Sequence, residues 1–175
     1  MRRTTTLRLI STAAAVALVG GCAPRNGAAP AANSEKIAQL VKANAAAVIA
    51  AFNAHDAEKA VSYDAPDYIG MFHGAPNVVG VEADLALTKQ QLADPAAKVT
   101  VNNEDISVAA AGDRALWRAT YAYTFTDPKT KQPTIENGNW LIGWRKQADK
   151  SWKEAWGVVS DTGPAPAAVA ETHAP

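Results

Sequence analysis

The residues best suited to chemistry lie between positions 63 and 74, and His73 is the foremost of them. It lies near the end of an alternating stretch, DYIGMFHG at 67–74, which predicts a β-strand that ends at a glycine. In a strand Ile69, Met71 and His73 share one face, so His73 would lie at the mouth of a cavity on that face. An imidazole titrates near neutral pH, which suits a general base. The alternative is a strand-end histidine that hydrogen-bonds a loop carbonyl.

Tyr63 and Asp64 are further candidates for acid–base chemistry, because they precede the same strand. Asp64 also begins the sequence DAP, and a residue pattern of this kind before proline predicts a turn. Glu154 is a further acidic residue to consider, since alternation places it on one strand face with Trp152 and Trp156. It is either a buried acid with a raised pKa or evidence that this face is solvated.

Aromatic side chains are concentrated on the predicted strands in the second half of the chain. Each buries a large area, so some must form the core or an interface, while others can line an apolar pocket for a small molecule. The residues predicted to contact such a ligand are Met71, Trp117, Tyr121, Trp140, Trp144 and Trp156.

Composition and motifs exclude several classes of function. The 175 residues include 17 basic and 17 acidic side chains without a basic stripe, which argues against a nucleic-acid partner. The three histidines, His55, His73 and His173, are dispersed, and there is one cysteine, so neither a metal site nor an internal disulfide is expected. The sequence has no glycine-rich phosphate loop and no G-x-S-x-G motif, and no cofactor is predicted.

The first residues predict export and a lipid anchor. MRRTTTLR is a basic segment and LISTAAAVALVGG an apolar one too short to span a membrane, which together are typical of a signal peptide. The following LVGGC (18–22) resembles the bacterial lipobox, in which the cysteine, here Cys22, becomes the lipidated mature N-terminus. The alternative is an ordinary signal peptide that contains a cysteine. Ala23 after the cysteine resembles the pattern of outer-membrane retention, which implies an envelope protein facing the periplasm.

Composition divides the chain into four segments. These are a signal peptide (1–21), the lipidated cysteine with a disordered tether (22–33), one folded domain (34–161) and a disordered tail (162–175). The tether and the tail are rich in Ala and Pro without any period. Removing the three leader arginines leaves 14 of the 17 basic residues against 17 acidic ones, so the mature chain is mildly acidic.

Within the domain the hydrophobic period changes once. Apolar residues recur every three or four positions after Ser34, the predicted N-cap of a long helix. Asp56 is predicted to cap a short second helix, and residues 81–91 a third. From Lys98 the period becomes two, with turn residues between strands. These elements predict an α+β fold: a cone-shaped roll of three N-terminal helices against a curved, mainly antiparallel β-sheet, with a cavity open at one end.

This order of elements resembles the nuclear-transport-factor-2-like superfamily, and within it the SnoaL-like and ketosteroid-isomerase-like domains. The segments that carry the resemblance are FNAHDAEKAVSYDAPDYIGMFHG (52–74) and GWRKQADKSWKEAWGVVSD (143–161). The superfamily contains isomerases, cyclases, epoxide hydrolases and dehydratases as well as non-enzymatic binders, and its members often dimerise through the sheet face. The resemblance therefore implies a fold and a homodimer, but it does not imply one activity.

The ketosteroid isomerases use an aspartate base, with a tyrosine and a protonated aspartic acid that bind the enolate oxygen. Matching Gly74 to the glycine that ends their first strand places Met71 on the position of the base. The position of the tyrosine falls near Ala47, and the strand that would carry the second acid is WLIGW (140–144), without a carboxylate. By this resemblance, steroid-isomerase chemistry is not expected.

These observations favour binding over catalysis. The first hypothesis is a lipid-anchored envelope protein whose cavity binds a small apolar or amphipathic ligand, or a protein partner, without turnover. The second is a SnoaL-like isomerase, cyclase or hydrolase that uses His73 as general base with Tyr63, Asp64 or Tyr121. The third is a structural dimerisation module whose sheet-face tryptophans are buried between subunits.

Overall fold

The computed structural model describes residues 31–163, as three helices and six strands. The predictions for the signal peptide, for Cys22 and for nearly all of the tether and tail lie outside these residues. The elements are α1 (Ala31–Asn53), α2 (Ala57–Val61), β1 (Asp64–Phe72), β2 (Val78–Val79), α3 (Val81–Leu92), β3 (Lys98–Val108), β4 (Arg114–Thr126), β5 (Pro133–Lys146) and β6 (Trp152–Asp161). This composition confirms the predicted α+β class. None of the described helices is long and apolar enough to cross a membrane.

The six strands form one sheet in the order β2-β1-β6-β5-β4-β3. Strands β3 to β6 are a meander in which each strand runs antiparallel to the next. The exception to this pattern is β1, which lies parallel to β6 although nearly the whole domain separates them in sequence. The first strand and the last strand of the domain are therefore neighbours, and side chains from both can meet in one site.

The core fixes α1 against the middle of the sheet. Ile37, Val41 and Ala45 are spaced four residues apart, so they share one helical face. They pack in one buried cluster with Trp117 of β4 and Ile142 of β5. Burying a large aliphatic side chain such as that of Ile37 stabilises a fold by about 1.5–3 kcal/mol. This cluster therefore fixes α1 against the sheet.

Most helix boundaries agree with the sequence pattern. The side chain of Asp56 caps α2 by accepting a hydrogen bond from the backbone N–H of Lys59 at 3.0 Å, as predicted. Helix α3 extends one residue beyond the predicted range. Helix α1 begins at Ala31, so Ser34 lies inside its first turn and not at the predicted N-cap position.

The prediction of a turn at 64–66 is wrong, because these residues begin β1. Asp64 pairs with Glu154 of β6, and the register then shifts before the next pair at Ile69. An irregular stretch of this kind tolerates Pro66, which has no N–H to donate to a neighbouring strand. His73 lies one residue beyond the end of β1, in the loop that follows.

A β-bulge in β6 changes which side chains face the concave side of the sheet. Gly143 pairs with Trp156 and Trp144 pairs with Glu154, so Ala155 has no partner on β5. An extra residue shifts the two-residue period by one position. Strict alternation put Glu154 and Trp156 on one face, and this prediction is wrong since the bulge separates them.

Candidate functional site

The helices and the concave face of the sheet enclose a cavity of about 440 Å³. Seven aromatic side chains line it, including Phe52 of α1, Tyr68 of β1 and Trp140 of β5. Five carboxyl side chains also line it, and they are Asp64, Asp84, Glu136, Glu154 and Asp161. An apolar chamber with a few polar groups is the usual form of a small-molecule site, and its volume is within the usual range.

Three of these acids meet at the buried end of the cavity. The β1–β6 pairing sets Asp64 directly beside Glu154. Helix α3 brings Asp84 close enough for a side-chain hydrogen bond with Asp64. Asp64 is only 7% exposed and Glu154 only 4% exposed. We call Asp64, Asp84 and Glu154 the carboxyl cluster.

Burial controls the protonation of this cluster. It raises the pKa of Asp64 to about 9, and the neighbouring charges of Glu154 and Asp84 act in the same direction. Burial also raises the pKa of Glu154 to about 8, with a further contribution from the charge of Asp84. The pKa of Asp84 is raised by burial as well, although the hydrogen bond from Asp64 opposes this shift. At neutral pH Asp64 and Glu154 are therefore neutral acids, and a side-chain hydrogen bond joins Asp64 to Asp84.

The cluster has unused hydrogen-bonding capacity. Oδ2 of Asp64 and Oε1 of Glu154 have no hydrogen-bond partner among the described residues. Tyr68 lies close by, and burial together with the charges of the cluster raises the pKa of its phenol, so it stays protonated. A buried polar atom without a partner costs about 1–3 kcal/mol, so a bound molecule that supplies partners gains affinity.

A second polar group lies at the open end. Nδ1 of His73 is 2.6 Å from Oδ1 of Asp161, which closes β6. The His73 side chain is 69% exposed and that of Asp161 29% exposed. Beside them Tyr121 donates a hydrogen bond to Oε1 of Glu136 at 2.5 Å. Burial and this hydrogen bond raise the pKa of Tyr121, and the charge of Asp161 adds to the effect.

The predicted catalytic residues are divided between cavity and core. His73 and Asp64 both line the cavity, at opposite ends of it. Tyr63 does not line it, because its ring packs edge-on against Trp144 with centroids 6.4 Å apart. The structure therefore brings His73 together with Asp161 and does not bring it together with Tyr63.

The residues predicted to bind a ligand are divided in the same way. Tyr121 and Trp140 line the cavity. Trp117 and Trp144 are fully buried in the core instead. Ligand binding by any of these residues stays a prediction, and only Tyr121 and Trp140 of these four border the cavity.

The other two predicted ligand contacts, Met71 and Trp156, are not among the lining residues. In β1 the cavity face carries Tyr68 and Phe72, so the alternative face, with Ile69 and Met71, points away. Trp156 lies over Gly143, where an added Cβ would be 2.1 Å from the indole. His73 still reaches the cavity because the strand ends before it.

Several lining residues were not predicted from the sequence. Asp84, Thr88 and Gln91 share one face of α3 at spacings of four and three residues, and all three line the cavity. The spacing of these three polar residues is itself a sequence signal, because it predicts one polar face on this helix. No sequence pattern identifies Asp161 as a partner of His73. The two side chains meet because the β1–β6 pairing places the end of β6 beside His73.

Among the described residues no group of three or more His, Cys, Asp or Glu side chains has a geometry that could hold a metal ion.

Comparisons with known proteins agree with this architecture. The family model of the SnoaL-like domain matches residues 41–160. A comparison with curated protein sequences gives no significant match.

Solved structures with the same fold include a ketosteroid isomerase-like protein from Erwinia carotovora atroseptica. It is 23% identical, with a TM-score of 0.61 over 73% of this chain and 97% of that one. A nuclear transport factor 2-like superfamily protein from Salmonella enterica serovar Typhimurium is 15% identical, with a TM-score of 0.62 over 78% and 97%. An NTF2-like protein with a cystatin-like fold from Novosphingobium aromaticivorans is 16% identical, with a TM-score of 0.57 over 77% and 84%.

A helix-lined roll with an internal cavity defines a domain of the nuclear-transport-factor-2-like superfamily, of ligand-binding or enzymatic type. Since the family model covers more than half of the chain, the chain belongs to the SnoaL-like family.

Proposed function

We propose that the cavity is the active site of an enzyme that moves protons on a small, largely apolar molecule bearing a carbonyl oxygen. One observation carries this proposal: a histidine–carboxylate pair and the protonated phenol of Tyr121 lie beside one another in the cavity lining. A base and a hydrogen-bond donor are the two groups that proton transfer beside a carbonyl requires.

His73 is the base. Its Nδ1–H donates to the Asp161 carboxylate at 2.6 Å, which leaves the lone pair of Nε2 free for a substrate proton. The carboxylate holds the tautomer and stabilises the imidazolium that forms. The loop position of His73 keeps the ring accessible at the cavity mouth.

The Tyr121 phenol is the complementary donor, because it stays protonated and lies beside the histidine–carboxylate pair. When Nε2 of His73 removes a proton from the carbon beside a carbonyl, the C–H electron pair moves into the new C–C double bond and the carbonyl pair moves onto oxygen. The Tyr121 phenol then donates a hydrogen bond to that oxygen. If His73 returns the proton to another carbon of a conjugated substrate, the double bond is isomerised. If His73 instead gives the proton to a hydroxyl on the neighbouring carbon, that group leaves as water and the substrate is dehydrated.

Hydrogen–deuterium exchange tests this proposal before the natural substrate is known. A panel of small aryl ketones, half of them bearing an amino group, is incubated with the protein in deuterium oxide, and NMR measures deuterium at the carbon beside the carbonyl. We expect the wild-type protein to exchange at least one ketone. His73→Asn should slow this exchange by about a hundredfold to ten-thousandfold, the usual contribution of a positioned base.

His55→Asn is the matched control. His55 is exposed, its Nδ1 lies 3.0 Å from the carbonyl of Leu92, and it does not line the cavity. Exchange should stay unchanged in this variant. Equal exchange rates for His73→Asn and the wild type, or no exchange across the whole panel, would refute the proposal.

Binding without turnover is the second candidate. Its supporting observation is the number of aromatic side chains in the cavity, which suits an apolar or amphipathic ligand irrespective of chemistry. Thermal stabilisation by panel members that undergo no exchange would favour this function. In either case we propose that residues 1–21 act as a signal peptide and that a lipid on Cys22 anchors the domain at the cell envelope.

A further inference from the structure

The cavity is lined by acids without an opposing cation. Five carboxyl side chains and His73 line it, whereas none of the lining residues in the described part of the chain is Lys or Arg. A ligand with a carboxylate or phosphate would therefore find no Lys or Arg to pair with, and the ionised acids of the lining would repel it. The charge of the lining favours a neutral or cationic molecule.

The two most buried acids lack partners for part of their hydrogen-bonding capacity. Asp64 and Glu154 are 7% and 4% exposed, both line the cavity, and Oδ2 of the first and Oε1 of the second are unpartnered. Lys153 is the one cation that acts on Asp64, and its effect is the smallest of those that set the state of this acid. The Lys153 ammonium is instead directed to the backbone carbonyl of Ser62.

The aromatic lining suits a positive charge as well as apolar surface. A cation over the face of a tyrosine or tryptophan gains about 0.5–1 kcal/mol at exposed sites and about 2 kcal/mol when desolvated. Tyr68, Tyr121, Tyr123 and Trp140 are all in the lining. Carboxyls and aromatic rings together form the kind of surface that recognises amines and quaternary ammonium groups.

We infer that the substrate of this cavity is an organic cation, an amine or quaternary ammonium carried on a small apolar body. The inference rests on the proposed function, because it names the substrate class of the same site. The cationic group binds beside Asp64 and Glu154, and the apolar body lies against the aromatic rings.

Binding of a cation must also change the protonation of the carboxyl cluster. The carboxyl of Asp64 faces Glu154 on β6 and Asp84 on α3. Tyr68 lies on the same strand as Asp64, and Lys153 is the positively charged residue nearby. A bound cation favours the ionised form of these acids, so each ligand displaces up to one proton from the cluster. Affinity should therefore rise with pH from 6 to 8, by up to about tenfold per pH unit.

Isothermal titration with two molecules of one shape tests the inference. The probes are para-hydroxybenzyl trimethylammonium and its uncharged isostere para-neopentylphenol, with para-hydroxybenzoate as an anion. We expect the cation to bind at least tenfold more tightly than the isostere, and the anion not to bind. Titration in two buffers of different ionisation enthalpy should show proton release with the cation and none with the isostere.

Variants distinguish the effect of the carboxyl cluster on cation binding from the effect of acids on the protein surface. Glu154→Gln and Asp64→Asn keep the side-chain shape and should reduce the preference for the cation to near unity. Glu82→Gln removes an exposed acid from α3 and should leave the preference intact. Equal affinity for the two probes, or cation binding without proton release in the wild type, overturns the inference, and neither measurement depends on a variant that folds.

The outcomes also separate this inference from the proposed function. Deuterium exchange on ketones without cation preference would overturn the inference and leave acid–base catalysis supported. Preference for the cation, with proton release but no exchange on any amino ketone, would support the inference and refute catalysis.

Discussion

Burial, more than residue type, decides which acids of this domain are protonated at neutral pH. Asp67 is an aspartate three residues after Asp64, but it is exposed and paired with Arg145, and this guanidinium lowers its pKa. Asp64 is enclosed by the β1–β6 pairing and by α3, which raises its pKa to about 9. Two aspartates on one strand thus differ in protonation at neutral pH, and only Asp64 can donate a hydrogen bond to a ligand.

The raised pKa of Glu154 predicts a specific dependence of stability on pH. Between its ordinary value of 4.5 and the folded value of about 8, the folded chain holds a proton that the unfolded chain has released. The free energy of unfolding therefore falls as pH rises through this range, by at most about 1.4 kcal/mol per pH unit for this group. Urea denaturation of the wild type at pH 5, 6, 7 and 8 should show this decline.

Glu154→Gln carries a neutral amide at every pH, so its stability should decline less steeply over the same range. The control is Glu82→Gln, which removes an exposed acid of α3 and should keep the wild-type slope. An identical slope for Glu154→Gln and wild type would contradict the assignment of Glu154 as a buried neutral acid.

Residue-level prediction from the sequence was limited by long-range pairing. His73 was identifiable from its type and its place beside a glycine, and Glu154 from its apolar neighbours. Neither pattern contains the information that Asp161 lies next to His73, or Asp64 next to Glu154. Those contacts depend on the register of two strands at opposite ends of the domain, which local periodicity does not encode.

At the scale of elements, the bulge in β6 decides the composition of the cavity wall. Ala155 is the extra residue, so Glu154 and Gly157 both line the cavity while Trp156 lies on the other face. Gly143 makes room for the Trp156 indole there, since an added Cβ would meet it at 2.1 Å. The glycine and the bulge are therefore parts of one arrangement.

Gly143→Ala should destabilise the domain by about 1–3 kcal/mol, because the new methyl group overlaps the Trp156 indole. Chemical denaturation followed by tryptophan fluorescence measures the loss. In a Trp156→Ala background the same substitution should cost clearly less, since the overlapping ring is gone. Equal costs in both backgrounds would show that the indole is not the obstacle.

At the scale of the whole molecule, the class of fold was predictable because it depends on local signals that agree. Each kind of element is predicted by its own local signal. The helical period before residue 92 predicts the helices, the alternation after Lys98 predicts the strands of the meander, and the polar turns predict their connections. The bulge, the parallel pairing of β1 and the orientation of its side chains were not predictable, because each is set by tertiary contacts. A homodimer through the sheet face stays a prediction.

The lipid anchor is tested by substitution of its attachment residue. Cys22→Ser removes the thiol that would carry the lipid, and we expect the protein to move from the membrane fraction to the soluble fraction of the envelope. Immunoblots of fractionated cells measure the distribution, with Ser34→Ala as a substitution near the cysteine that should not change it. Membrane retention of Cys22→Ser would refute the anchor.

The position of β6 at the end of the domain has a kinetic consequence, because the ribosome makes the chain from its N-terminus. Until residues 152–161 emerge, β1 has only the two-residue β2 beside it, and Asp64 has no Glu154 to face. Pairings between distant segments form late, because closing a long loop must precede them. The carboxyl cluster is thus the last part of the domain to form, and an incomplete chain that stops before residue 152 lacks Glu154 and Asp161.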